Sequence, residues 1–134
     1  MAFNRPVHFE IPAEDPERAG RFYTDVFGWD VKKWDSPVME YWIVMTGTAE
    51  AGEKWAGIDG GIVRRRGASP VEGQAVNAFV NTITVSSFDE IATRILSAGG
   101  SVAVPKAALA EMGWLGYFKD SEGNIFGILE EKKP

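Results

Sequence analysis

Val7-His8-Phe9-Glu10-Ile11 leads into a segment that opens at Asp15-Pro16-Glu17 and closes at Phe27-Gly28. The same plan returns later, where Phe79-Val80-Asn81-Thr82-Ile83-Thr84-Val85 leads into Ser87-Phe88-Asp89-Glu90 and closes at Ala98-Gly99. Asp15 is a side-chain cap, Pro16 suits the first helical position, and Glu17 favours the positive end of the helix dipole. Ala19, Phe22, Tyr23, Val26 and Phe27 then fall on one face of a 3.6-residue period, and Gly28 supplies a left-handed stop. In the second copy Ser87 and Glu90 form a capping box, and Phe88, Ile91, Ala92, Ile95 and Leu96 form the apolar face. Strand, helix, then further strands, stated twice, predicts two related βαβββ modules.

Outward from these helices, strands are expected near Val7–Ile11, Asp30–Trp34, Glu40–Met45 and Gly60–Val63. In the second half they are expected near Ala78–Val85, Ser101–Val104, Leu115–Lys119 and Ile125–Glu130. Asp120-Ser121-Glu122-Gly123-Asn124 reads as a turn. The modules therefore span 6–63 and 78–131, joined by a glycine- and proline-containing linker at 64–77, within one domain of residues 1–134. Thr46 to Gly57 reads as a second loose stretch, and Lys106 to Met112, after Pro105, as a short lid over the cleft.

Composition narrows the class. The chain has 134 residues, is 45% hydrophobic and carries a net charge of −5. That length supports a real core, and the acidic balance argues against a nucleic-acid footprint. Arg64-Arg65-Arg66 is too short a basic run to hold a phosphate backbone and reads as a solvated loop. With no cysteine there is no disulfide, thiolate metal site or thiol nucleophile. No apolar run has the length of a membrane span or a secretion signal, so a cytoplasmic location is expected.

The chain resembles the vicinal oxygen chelate superfamily of glyoxalase I, the bleomycin-resistance proteins, methylmalonyl-CoA epimerase and the extradiol dioxygenases. The resemblance rests on Val7–Ile11 with Phe22-Tyr23 and Phe27-Gly28-Trp29, on Gly99-Gly100 and Pro105, and on the closing run Gly113 to Gly127. More narrowly, the chain is similar to small bacterial proteins described as related to lactoylglutathione lyase. The resemblance implies an α+β fold of two βαβββ modules whose curved sheets surround a cleft, and a homodimer. In metal-using members it implies one divalent ion held by four side chains, two from each half.

Checked against that pattern, His8 occupies the first ligand position. Its counterpart in the second half is Val80, the glutamate of the last strand is replaced by Gly127, and the remaining position falls in Gly60-Gly61-Ile62-Val63, beside Asp59 in an expected turn. One donor of four implies no metal ligands and no cofactor, with a divalent ion only as the alternative. Glu10 shares the face of His8, so the two are the candidate catalytic pair for metal-free proton transfer. Five tryptophans and three tyrosines suggest an aromatic cavity, with Tyr41, Trp42, Thr82, Trp114, Tyr117 and Gly127 as candidate ligand-binding positions.

Three functions compete. The first is a metal-independent small-molecule binder similar to the bleomycin-resistance proteins. The second is a glyoxalase- or epimerase-like lyase or isomerase acting through His8 and Glu10. The third is a partner-binding domain with a vestigial cleft. No nucleic-acid or membrane partner is expected.

Overall fold

The computed structural model describes residues 3–47 and 57–133, so most of the expected loose stretch from Thr46 to Gly57 lies outside the described residues. The elements run β1 (Arg5–Ala13), α1 (Pro16–Phe27), β2 (Asp30–Lys33), β3 (Trp42–Met45), β4 (Asp59–Arg64), β5 (Val80–Thr84), α2 (Phe88–Ser97), β6 (Ser101–Leu109), β7 (Gly113–Lys119) and β8 (Ile125–Glu131). The chain divides into two compact units. One is His8–Phe79; the other joins Met1–Val7 to Val80–Pro134. The first residues of β1 thus cluster with the later part of the chain, and the Asn4 amide donates to the Thr84 carbonyl at 2.7 Å.

Within the first unit the strand order is β2-β3-β4-β1; within the second it is β6-β7-β8-β5. In each, the strand before the helix pairs parallel with the last strand, and the others pair antiparallel. The duplication extends to register. Glu10 lies opposite Gly61, and Thr82 lies opposite Gly127.

Local chemistry accounts for both helices. The Asp15 carboxylate accepts from the Arg18 amide at 3.1 Å, and Gly28 adopts φ 75°, where a Cβ would be strained. Ser87 caps α2 through the Glu90 amide at 3.2 Å. The Phe88 amide is met by the Glu130 carboxylate of β8 at 2.7 Å, which ties the helix start to the sheet.

Each helix covers one sheet face. Phe9, Ile11, Ala13, Trp42, Val44 and Ile62 are buried against Ala19, Tyr23, Trp29 and Val31. In the second unit Val85, Phe88, Phe118 and Ile128 are buried with Ile83, Ile91, Ala92, Ile95 and Phe126. Full burial of each large apolar side chain contributes about 1.5–3 kcal/mol.

Four expectations change. The stretch from Lys106 is no lid: β6 continues through Pro105 to Leu109 and pairs with β7, with register shifts on either side of Val104. Pro105 is tolerated because β6 is the last strand in its unit's order and the ladder is already irregular there. Asp59 opens β4 rather than sitting in a turn, and its carboxylate accepts from the Thr46 amide at 2.8 Å. The Arg64–Arg66 run is not simply solvated. Arg64 ends β4 and pairs with Glu40 at 2.8 Å, while the half-buried Arg65 donates from Nη2 to the Pro12 carbonyl at 3.0 Å. Finally, the apolar sector of α1 is wider than the line that meets the sheet. Pro16 and Gly20 are buried and Tyr23 packs on the core, whereas Phe22, Val26 and Phe27 are more than half exposed. At 100° per residue, Phe22 and Val26 stand roughly 70–110° to one side of that line.

Candidate functional site

Alternation along β1 sends Phe9 and Ile11 into the core beneath α1 and puts His8 and Glu10 on the opposite face. The parallel partner strand brings Asp59 opposite His8 and Gly61 opposite Glu10. Just before β3, Tyr41 reaches the same face. Its hydroxyl and His8 Nε2 share a hydrogen bond of 2.7 Å, with the two rings nearly parallel at 6.4 Å. Tyr41 is only 8% exposed.

The space for Tyr41 is made by Gly61. A Cβ at that position would stand 2.0 Å from the phenol oxygen and 2.1 Å from Cζ. No residue with a side chain fits at Gly61 while Tyr41 lies where it does. Register identifies Gly61 as the counterpart of Gly127, since Glu10–Gly61 and Thr82–Gly127 are equivalent pairs.

Burial lowers the His8 pKa below its ordinary value of 6.5, partly opposed by the charges of Glu10 and Asp59. At neutral pH the imidazole is therefore uncharged. An uncharged imidazole has one lone pair to offer. When the phenol donates to Nε2, that lone pair is engaged and the proton resides on Nδ1.

In the second unit Val80 stands where His8 stands in the first, and Thr82 where Glu10 does. Thr82 is buried, with its hydroxyl oxygen 3.2 Å from where a Cβ on Gly127 would lie; the Tyr117 ring is 3.1 Å from the same point. Tyr117 lies directly opposite Gly127 across β7 and β8. Thr82, Tyr117 and Gly127 are thus brought together, as are His8, Glu10 and Tyr41.

Two of the expected ligand-binding residues lie elsewhere. Trp42 is on the core face of β3, 3% exposed, with Nε1 donating to the Glu17 carboxylate at 3.0 Å. Strand alternation separates it from Tyr41. Trp114 shares the α2 side of β7 with Phe118. Lys106 Nζ lies 4.7 Å from the Trp114 ring and 5.4 Å from Phe88. Asp59, expected in a turn, was also placed wrongly; only strand register puts it beside His8.

The metal pattern implied by the resemblance does not fit these residues. In the first module the position across from Glu10 is Gly61, filled by a phenol; in the second, Val80 and Gly127 offer no donor. Among the described residues no group of three or more histidine, aspartate or glutamate side chains is placed to hold an ion. No helix among them is long and apolar enough to cross a membrane.

Residues 5–47 match the family model described as bleomycin resistance protein-like N-terminal. Among solved structures, Streptomyces coelicolor methylmalonyl-CoA epimerase in complex with 2-nitronate-propionyl-CoA superposes with a TM-score of 0.65 at 16% identity, covering 98% of this chain and 100% of that one. The chain carries the fold of the glyoxalase/bleomycin-resistance superfamily. Mycobacterium tuberculosis methylmalonyl-CoA epimerase matches this fold with a TM-score of 0.64 at 14% identity, over 98% of this chain and 90% of that one. A hypothetical protein from Bacillus halodurans gives 0.64 at 14% identity, over 97% and 96%. No curated protein matches the sequence. At such identities the fold is shared, while function rests on the residues of the site itself.

Proposed function

We propose that this chain is a small-molecule-binding protein of the bleomycin-resistance type that works without the superfamily's divalent ion, as a cytoplasmic homodimer. The observation that carries the reading is the Tyr41 phenol seated over Gly61. It occupies the space in which a side chain on β4 would project, and it engages the one imidazole of the chain. An ion held by His8 alone would have no further protein donor from Gly61, Val80 or Gly127, and one imidazole competes poorly with water.

What remains on the His8 face suits binding. Ile43 and Met45 are 39% and 46% exposed beside the His8–Tyr41 pair, with Glu10 and Asp59 on the neighbouring strands. Apolar area with a few fixed polar groups is the usual make-up of a ligand surface. A second reading, an epimerase-like lyase or isomerase, draws on the uncharged His8 beside Glu10. Where the phenol donates to Nε2, proton abstraction at that nitrogen requires Tyr41 first to release it, which favours the binder.

The test is a thermal melt of purified protein with Ni²⁺, Zn²⁺, Mn²⁺ or EDTA, alongside ligand titration by tryptophan fluorescence in EDTA. Saturable ligand binding in EDTA with no metal-dependent melt supports the proposal. Stoichiometric metal in the purified protein, or a melting point that EDTA lowers, overturns it.

A further inference from the structure

On the other side of the first sheet, a depression of about 420 Å³ lies between the first turns of α1 and the stretch from Arg65 to Pro70. Its floor includes Ile11 and Ala19, and Arg18, Phe22 and Arg65 line its walls. It is separate from the His8 face, because Ile11 and His8 point to opposite sides of β1.

Two features of this depression lack an internal explanation. The first is the Arg65 guanidinium. Nη2 donates to the Pro12 carbonyl, but Nε is buried without an acceptor, and no carboxylate pairs with Arg65 or Arg18 among the described residues. A buried donor left unsatisfied is costly, more so on a charged group. The two acids nearby are already engaged: Asp15 caps α1, and Glu14 accepts from the Ser69 hydroxyl at 2.9 Å. The second is the uncovered flank of α1. Arg18, Phe22 and Val26 follow one another at intervals of four residues, a continuous stripe about 12 Å long, with Phe22 54% and Val26 55% exposed. Phe22 belongs both to the depression and to the stripe.

We propose that this is a second binding site, for a small amphiphilic carboxylate. Its carboxylate enters between Arg65 and Arg18, where guanidinium groups favour planar, charge-assisted pairing. To receive it, the Arg65 guanidinium turns toward the depression and so gains an acceptor for Nε. The apolar body of the ligand follows Phe22 and Val26 and removes that flank from water. The chemistry is that of a fatty acid or aryl-alkanoate, with one negative end and one apolar end.

The probe is decanoate, titrated calorimetrically below its aggregation range into the full chain, with 1-decanol and acetate as controls. Decanoate should bind saturably, and each control at least about tenfold more weakly, since each lacks one half of the recognition. Phe22→Ser and Arg65→Gln should each weaken decanoate by about tenfold, with circular dichroism melts confirming the fold. Arg18→Gln, at an exposed helix position, should weaken it several-fold and keeps the test decisive if Arg65→Gln does not fold. Equal binding of decanol, unchanged affinity in Phe22→Ser and Arg18→Gln, or no saturable binding overturns the proposal. Loss of decanoate affinity in His8→Val also overturns it, by moving binding to the His8 face. Failure here leaves the metal-free reading of that face untouched.

Discussion

The two modules share a backbone plan and differ in what they place on the sheet face away from the helix. In the first, His8, Glu10 and Asp59 bring three ionisable groups to that face, and the Tyr41 hydroxyl joins them. In the second, the positions of His8 and Glu10 are Val80 and Thr82. Both modules have a glycine on their last strand, and both lay a tyrosine ring against it. The tyrosines do not correspond: Tyr117 sits directly opposite Gly127, whereas Ile43 is opposite Gly61 and Tyr41 comes from two residues earlier. Register and core are held in common because the apolar face tolerates little change in volume. The other face differs at the strand before the helix, where the first module places His8 and Glu10 and the second Val80 and Thr82.

The sharpest way to break this comparison is at the two glycines. Gly61→Ala drives a Cβ into the Tyr41 ring and should destabilise by about 1–3 kcal/mol, measured by urea denaturation. Tyr41→Ala should recover part of that loss in the double variant, because it removes the colliding ring. Gly127→Ala meets Tyr117 and Thr82 at 3.1–3.2 Å, a contact a shift of a few tenths of an ångström relieves. Its cost should stay under about 1 kcal/mol. Equal costs at both positions would mean that the tyrosines do not fill their glycine gaps in the way described.

Tyr41→Phe comes next. It leaves a partly buried imidazole nitrogen without its partner, so a loss of about 1–2 kcal/mol is expected. A negligible loss would show that the hydroxyl–imidazole bond does not hold the Tyr41 ring over Gly61.

A smaller effect separates the modules by pH. Because the folded pKa of His8 lies below 6.5, the unfolded chain binds more protons between the two values. The contribution of His8 is complete above the ordinary pKa and is lost as pH falls from about 6.5 toward the folded value. His8→Val, which copies the second module, should flatten that part of the stability profile. An unchanged profile would show that His8 is not the group responsible. The smallest expected effect is that of divalent metals on the melting point, which on the proposed reading is none, in the parent and in His8→Val alike.

Much of this fold was legible in the residues. Asp15-Pro16 and Gly28 set the ends of α1, Ser87 sets the start of α2, and the repeated strand–helix plan fixes two βαβββ modules, because caps, turns and periodicity are local. That Val80 and Gly127 offer a metal no side-chain donor is likewise a property of residue type, wherever they are placed. Tertiary structure alone decided which side chains meet. Trp42 and Trp114 turned out to face the helices, Asp59 joined β4 opposite His8, and Pro105 passed through a strand instead of starting a lid. Nothing in the order of residues marks Tyr41 as the occupant of the gap at Gly61, twenty positions away. That contact depends on strand register and on the absence of one Cβ, and both are properties of paired strands rather than of either segment alone.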